Sequence, residues 1–343
     1  MIWKRNASTC IDKSQAPGRM SRTVALLAVL SIAAVLGSFA VGYYKIPLSR
    51  LPGVLLGGAS TELDVLVRVR LPRILAAYAI GAALATAGSA YQGMFKNPLV
   101  SPEILGVSAG AGLGAALSIT LEFPYYITQT MAFVFGLAAA ALCYLAARRV
   151  RFGQTVSMIL AGTMIQTLAT AMTTLLKYLA DPNDALPAIT FWLMGSLTKV
   201  DMDALLFSAA PMAAGFLILF AMRYRLNVLT LGDEEAMSLG IDPRRTRAAA
   251  IVGATLLSAA SVCMGGMIGF VGLMIPHIAR WIVGPQYRRL LPVACMAGGC
   301  YLLVMDDIAR SAMTMEIPLG VMTAVAGAPF FLYLITRQGV ERS

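Results

Sequence analysis

Long apolar runs follow one another along almost the whole chain, and they limit what it can fold into. A membrane span needs about 20 apolar residues. Charged residues make up only 13% of the 343, against about a quarter in a soluble domain. The pattern predicts an all-α integral membrane protein with about ten transmembrane helices. The runs lie near residues 24–44, 71–95, 103–121, 124–147, 155–176, 204–222, 248–264, 267–283, 291–309 and 317–336.

The stretch from Ala248 to Gly284 is too long for a single span. Its 37 residues would form a helix of about 55 Å at a rise of 1.5 Å per residue. The hydrocarbon core of a bilayer is only about 30 Å thick. The stretch must therefore break, and Gly265–Gly266 is the predicted place.

A weak internal repeat relates the second and seventh runs. Ala79–Leu84 (AIGAAL) resembles Ile251–Leu256 (IVGATL). The two segments are an odd number of spans apart, so the two halves would face opposite ways in the membrane. This is the inverted half-repeat plan of many transporters, although apolar sequences also match by chance.

The distribution of Lys and Arg predicts the orientation. With the N-terminus in the cytoplasm, 19 of the 27 fall in cytoplasmic segments and 8 outside, as the positive-inside rule requires. The prediction is N-in and C-in, with residues 1–22 and 339–343 as cytoplasmic tails and 23–338 as one transmembrane domain. The basic residues lie at the ends of apolar runs and form no stripe with interleaved aromatics, so nucleic acid is not expected as a partner.

Two outer segments are longer than turns. The segments are Lys45–Arg70 and Ala180–Asp203, and the second contains the short apolar piece Ile189–Gly195. Each is long enough for a short helix at the membrane surface, where Trp192 would be favoured.

The most strongly charged interruption is Arg223–Arg247, which this topology places in the cytoplasm. Within it, Asp233–Gly240 begins with three acidic residues and is stopped by a glycine and a nearby proline, which predicts about two helical turns. Ala236 and Leu239 would offer a small apolar face three residues apart. Such a helix could be the contact through which another protein moves the membrane helices. The alternative is an ordinary solvated loop.

The sequence lacks motifs for chemistry of its own. It contains no GxxxxGK[ST] phosphate-binding loop and no HExxH. Its five cysteines form no CxxC pair, and His277 is the only histidine. We therefore expect no catalytic site, no metal site and no cofactor on this chain. If the chain is part of an active pump, its energy must come from a partner or an ion gradient.

Several long motifs, in order, resemble one family. Together they span about residues 24–338, and they look like the permease subunits of ATP-binding-cassette (ABC) importers for iron-siderophores, haem and vitamin B12. The resemblance implies the type II importer permease fold with ten spans. The motifs are RLPR at 70–73, GAALA at 81–85, NPLVSPEILGVSAGA at 97–111, FWLMG at 191–195, EAxxxG at 235–240, GFVGLMIPHIAR at 269–280 and IPLGV at 317–321.

The resemblance also implies partners. They are a second permease copy, two ATPase subunits that bind ATP and Mg, a periplasmic or lipid-anchored substrate-binding protein, and the surrounding membrane lipids. It implies that residues 233–240 are the coupling helix that docks into the ATPase. The expected coupling residues are Asp233, Glu234, Glu235, Ala236, Leu239 and Gly240.

Three arginines fall on the outer side, against the positive-inside bias: Arg70, Arg73 and Arg310. They could be snorkelling anchors, or they could pair with carboxylates of the binding protein, which is the role that the resemblance implies. Asp306 and Asp307 could instead pair with Arg310, because residues 306 and 310 are four apart on a helix. That pairing would compete with docking of the binding protein by Arg310.

Five polar or gate residues complete the predicted sites. Gln154, Thr155 and Val156 lie in the segment between the fourth and fifth runs, a loop that helps form the cytoplasmic gate in the family. Gln92 and Gln166 lie inside spans, where they either form interhelical hydrogen bonds or line an aqueous pathway.

The predicted function is transport of a metal chelate across the bacterial or archaeal cytoplasmic (inner) membrane, with ATP hydrolysed by a separate subunit. A ferric siderophore is the expected substrate, and haem and cobalamin are the alternatives. An ion-coupled secondary transporter would need conspicuous buried carboxylates at mid-membrane, and the spans offer few. A membrane enzyme would need catalytic His or Asp clusters, which are missing.

Overall fold

The protein is described by a computed structural model, which covers residues 17–42, 61–149, 154–313 and 315–340. The described part is built of helices joined by short connections. A turn at Thr61–Asp64 and a π-helical segment at Val65–Arg70 run directly into the second long helix, and a 3₁₀ turn at Pro102–Leu105 precedes the third. The helices are α1 Pro17–Ser38, α2 Leu71–Met94, α3 Val107–Thr120, α4 Tyr125–Arg149, α5 Gln154–Leu179, α6 Ala185–Met194, α7 Met202–Ala221, α8 Arg223–Leu231, α9 Asp233–Ser238, α10 Pro243–Gly265, α11 Val271–Val283, α12 Tyr287–Ser311 and α13 Leu319–Val340.

All ten predicted apolar runs coincide with helices, which confirms the all-α fold class. Among the described residues, six helices are long and apolar enough to cross a membrane: α2 with its π-helical extension, α4, α5, α7, α10 and α12. Five shorter apolar helices lie within α1, α3, α6, α11 and α13. The number of spans and the N-in, C-in orientation stay predictions.

Two halves of the chain repeat the same order of helix lengths. Helices α2 to α5 have 24, 14, 25 and 26 residues, and α10 to α13 have 23, 13, 25 and 22. In both halves the short helix follows a left-handed residue, Gly106 with φ 77° and Phe270 with φ 65°. The predicted break is confirmed, because α10 ends at Gly265 and Gly266 has φ 71°. These features support the prediction of two half-repeats.

Helix α2 lies at the centre of the bundle, packed against α10, α11 and α12. Of the 18 most apolar consecutive residues of this helix, 83% are buried, against 17% for α5. Small residues allow this packing because they let backbones approach closely. A Cβ atom at Gly81 would lie 2.2 Å from the carbonyl oxygen of Gly298, so neither α2 nor α12 can carry a side chain at this crossing.

The first and last helices extend across the predicted ends of the transmembrane domain. Helix α1 begins at Pro17 and α13 runs to Val340, and the domain bounds at 23 and 338 stay predictions. Residues 1–16 and 341–343 lie outside the described residues, as does most of the outer segment that begins at Lys45. The short helix expected near Ile189–Gly195 is confirmed as α6.

Candidate functional site

The charged segment after α7 folds into two short helices that lead into α10. The predicted helix is confirmed at Asp233–Ser238. Gly240 follows with φ 73°, a left-handed conformation that favours glycine, and no atom lies within 4 Å of where its Cβ would be. Asp242 then caps α10, because its Oδ1 accepts a hydrogen bond from the Arg244 backbone N–H at 2.8 Å. Gly240 and the Asp242 cap therefore define the turn that joins α9 to α10.

Ala236 does not contribute to an exposed apolar face, and this part of the prediction was wrong. Its side chain is fully buried and packs with Val228, Leu229 and Ile241 of the same chain. The methyl group faces inwards because α8 and the residues after Gly240 close over that side of α9. Within Asp233–Gly240, the exposed large apolar residues are Met237 at 59% and Leu239 at 57% exposure, beside the exposed Glu234 and Glu235.

An ion pair fastens α9 to α10. Arg247 donates through Nη1 to Asp233 Oδ2 at 2.8 Å and through Nη2 to Oδ1 at 2.5 Å. This bidentate geometry strengthens and orients the ion pair. Hydrogen bonds from Arg247 and its positive charge lower the pKa of Asp233. Asp233 therefore holds α9 in place and is not a free carboxylate.

At the opposite end of the bundle, Arg73 is enclosed by carboxylates of its own chain. Its Nη2 and Nε donate to Asp306, at 2.8 Å to Oδ1 and 3.0 Å to Oδ2, and its Nη1 donates to Glu316 Oε1 at 2.8 Å. Asp306 is completely buried. The cluster joins α2 to α12 and to the segment that leads into α13.

The other two outer arginines are also buried and bonded within the chain. Arg310 donates to the Ser38 carbonyl at 2.8 Å and pairs with Asp307. Arg70 donates to the Phe39 carbonyl. Carboxylates and carbonyls of the same chain therefore accept hydrogen bonds from all three arginines, and docking of a binding protein by these residues stays a prediction. The predicted pairing of Arg310 with Asp306 and Asp307 is confirmed.

Gln92 forms interhelical hydrogen bonds. It is 2% exposed, its Nε2 donates to the Leu273 carbonyl at 3.1 Å, and its Oε1 accepts from Arg280. Both partners belong to α11. Of the two roles left open for Gln92, the structure therefore assigns the joining of α2 to α11.

The predicted gate residues lie in a helix and not in a loop. Gln154 is the first residue of α5, and Thr155 and Val156 follow in its first turn. This corrects the prediction, which placed all three in the connection; residues 150–153 lie outside the described residues. Val156 is exposed, so it faces away from the remainder of the chain.

A polar face on α5 was missed by the sequence reasoning. Gln166, which the sequence analysis names as a polar residue inside a span, lies on this face and is exposed. The exposed hydroxyls donate back to the helix, for example Thr167 Oγ1 to the Thr163 carbonyl at 2.9 Å. Their spacing of four, three and four residues places them on one side of an α-helix, a signal visible in the sequence. The threonines of this face are Thr163, Thr167, Thr170 and Thr174.

The described residues contain no group of three or more His, Cys, Asp or Glu side chains that could hold a metal ion. His277 lies in α11, with its ring 4.8 Å from that of Trp281 in an edge-to-face contact. Within the described ranges, its surroundings are those of a packing residue.

The long apolar helices, the fastened short helix at one end and the exposed polar face define a polytopic α-helical membrane permease. A sequence profile of the FecCD transport family matches residues 27–337. The chain therefore belongs to the FecCD transport family, whose members are ABC permeases, and the resemblance drawn from the motifs is confirmed. This assignment sets aside the ion-coupled secondary transporter.

Individual relatives cover most of the chain. The molybdate import system permease protein MolB of Haemophilus influenzae is 37% identical, covering 92% of this chain and 96% of its own length. The cobalamin import system permease protein BtuC of Halobacterium salinarum is 39% identical, covering 83% and 77%. The solved structure of an inward-facing metal-chelate type ABC transporter is 35% identical, with a TM-score of 0.85 over 92% of this chain and 99% of its own.

Proposed function

We propose that this chain is the membrane subunit of an ABC importer for a ferric siderophore in the cytoplasmic membrane. A separate ATPase subunit binds ATP and Mg, and a substrate-binding protein delivers the ligand. Family membership and the similarity to a metal-chelate transporter support the transport class. Haem and cobalamin are alternatives of the same class, and the cobalamin permease relative supports the second of these.

Molybdate is a second candidate substrate. The molybdate permease relative covers more of this chain than the cobalamin relative does, at a similar identity, so identity alone does not rank the substrates. The test is ATP hydrolysis by the complex reconstituted with its own ATPase and binding protein. We expect a ferric siderophore to stimulate hydrolysis. Stimulation by molybdate, haem or cobalamin alone would overturn the siderophore assignment.

The observation that carries the proposed transport function is the polar face of α5. Hydroxyl and amide groups are unfavourable towards lipid, so they face a protein or an aqueous path. We propose that the threonine face lines the pathway between two copies of this chain. Of the 18 most apolar consecutive residues of α5, only 17% are buried within one chain. The threonine face is therefore available to a second copy.

Cysteine labelling tests the pathway. In a background without native cysteines, Thr167→Cys and Thr170→Cys should react with a membrane-impermeant thiol reagent in the assembled importer. Leu168→Cys is the control, because Leu168 is exposed but points to another side of α5. Protection of both threonine positions with labelling of the control would place the polar face away from water and refute the pathway.

The ATPase contact is proposed at Met237 and Leu239. Their exposed side chains offer the apolar surface, and Glu234 and Glu235 flank it. Leu239→Glu should release the ATPase while the permease stays folded. Ala236→Glu should lower the yield of folded permease, because it buries a carboxylate without a partner. Normal ATPase capture and coupled uptake by Leu239→Glu would show that the contact lies elsewhere.

The binding protein is proposed to dock at the end that carries the Arg73 cluster. Because the arginines are buried, the cluster would shape this surface, and direct contacts would come from exposed groups such as Glu316. Glu316→Lys should weaken docking in nanodiscs without loss of fold. Docking that is unchanged by Glu316→Lys would leave the cluster with a role in folding only.

A further inference from the structure

A groove of about 390 Å³ opens where α8 and α12 begin, lined by Arg223, Tyr224, Asn227 and Arg288. The two elements are far apart in sequence and are joined here by a hydrogen bond. The Tyr287 backbone N–H donates to Asn227 Oδ1 at 2.8 Å. This bond leaves the amide NH₂ of Asn227 as an additional donor. The groove is therefore fixed by the fold of two helices and is not a feature of a loose loop.

The groove is positively charged and has no counter-ion among the residues that the structure describes. Arg223 and Arg288 are both exposed, and within the described ranges neither forms an ion pair. No Asp or Glu occurs in residues 217–231 or 281–296. Each arginine also lies in the first turn of its helix, where the helix dipole disfavours positive charge. An anion in the groove would relieve both the mutual repulsion and the unfavourable interaction with the helix ends.

The groove lies at the ends of two helices that are long and apolar enough to cross a membrane, where lipid headgroups are expected. Arg223 follows the end of the span α7 by two residues, and Arg288 is the second residue of the span α12. Tyr224 and the nearby Trp281 at the end of α11 are strongly exposed, as expected of aromatic residues at a membrane–water boundary. The positive-inside rule requires basic residues near the ends of spans, but it does not require two arginines to converge on one groove with an amide and a phenol.

We propose that this groove binds the phosphate of an anionic phospholipid. Arginine matches the geometry of phosphate oxygens, and basic pockets between the ends of membrane helices are suited to lipid headgroups. The phenol and the amide supply two further donors to the same phosphate. The acyl chains would extend along the exposed apolar surfaces of α7 and α12. The proposal requires only that these two helices cross the bilayer, so it does not depend on the proposed substrate.

The test uses the full chain in nanodiscs of phosphatidylcholine with a minority of phosphatidylglycerol. The groove variant is Arg223→Gln/Arg288→Gln. The matched control is Arg225→Gln/Arg289→Gln, which removes the same charge from the same two helices at positions that do not line the groove. Native mass spectrometry counts the phosphatidylglycerol retained by each protein. We expect wild type and control to retain it and the groove variant to bind it about tenfold more weakly, a loss of about 1.4 kcal/mol.

Four results would overturn the proposal. Equal retention by the groove variant and wild type would show that the groove does not hold the lipid. Equal losses in both double variants would point to general charge attraction. Displacement of the lipid by excess inorganic phosphate would assign the groove to free phosphate. Loss of the ATPase subunit from the groove variant, with the lipid retained, would make the groove a protein contact.

Discussion

Replacing Asp306 should reveal whether the Arg73 cluster holds the bundle together. Asp306 is fully buried and accepts hydrogen bonds from Nε and Nη2 of Arg73. Asp306→Asn keeps the shape of the side chain but removes its charge. Arg73 then keeps only Glu316, whose side chain is 37% exposed. Breaking a buried ion pair from one side costs about 3–5 kcal/mol, and we expect a loss in free energy of unfolding of about 3 kcal/mol.

Two comparison variants separate charge pairing from packing. Glu316→Gln should cost less than about 1 kcal/mol, because water screens its half-exposed side chain. Arg73→Met/Asp306→Leu should be less destabilising than Asp306→Asn alone, because replacing both partners leaves no buried charge without a counter-charge. Unfolding of the purified permease in mixed micelles measures all three, and a double-mutant cycle isolates the pairwise energy.

The same variants distinguish an internal ion pair from a docking site. If the arginine acts within the chain, binding-protein affinity per folded permease should change little in the Arg73→Met/Asp306→Leu variant. The reasoning is refuted if Asp306→Asn unfolds like wild type. It is also refuted if Arg73→Met/Asp306→Leu is stable but no longer binds the binding protein, because Arg73 would then act at that surface.

Three further outcomes follow from local geometry. Gly88→Ala should lower the free energy of unfolding by about 1–3 kcal/mol, because its Cβ would lie 1.8 Å from the carbonyl oxygen of Gly272. Gly37→Ala is the control, because the space around Gly37 is open. Equal stabilities of the two variants would contradict the packing. Gly240→Val should destabilise more than Gly240→Asn in thermal unfolding, because asparagine tolerates positive φ; the reverse order would exclude backbone strain. The lowered pKa of Asp233 stabilises the fold above its unfolded pKa of about 3.9, and this contribution is lost as pH falls through the lower folded pKa. Asp233→Asn should therefore lower the free energy of unfolding by less than about 1 kcal/mol at neutral pH, and this difference should vanish once the pH is below the folded pKa; a pH-independent difference would contradict the ion pair.

Local signals in the sequence predicted the helical elements well. The break at Gly265–Gly266, the short helix at Ala185–Met194 and the helix at Asp233–Ser238 follow from length, glycine and charge patterns that act over a few residues. The pairing of Arg310 with its neighbours on α12 was visible for the same reason, because the partners are three and four residues away. Each of these features depends on neighbours in the sequence.

Contacts between distant segments could not be predicted in this way. Arg73 and Asp306 are 233 residues apart, so their pairing depends on how α2 and α12 pack. The burial of Ala236 depends on Val228 and Ile241 closing over it, whereas the spacing of Ala236 and Leu239 shows only that they share one side of a helix. A charged or apolar residue near a helix end can face a partner protein or its own chain, and the sequence pattern is the same in both cases.

The contacts around α10 connect the two ends of the molecule. At one end, Arg247 of α10 holds Asp233 of α9 through two hydrogen bonds. At the other, the Gly265 carbonyl accepts from the Ser196 backbone N–H at 2.9 Å, and the Gly195 carbonyl accepts from the Leu319 backbone N–H at the start of α13. A force applied to α9 would therefore act on α10 as one body and reach α6 and α13 through backbone hydrogen bonds. Hydrolysis and uptake by Leu239→Glu test the first step of this route: we expect loss of ATPase binding together with uptake, and uptake that stays coupled to hydrolysis would refute the route through α9.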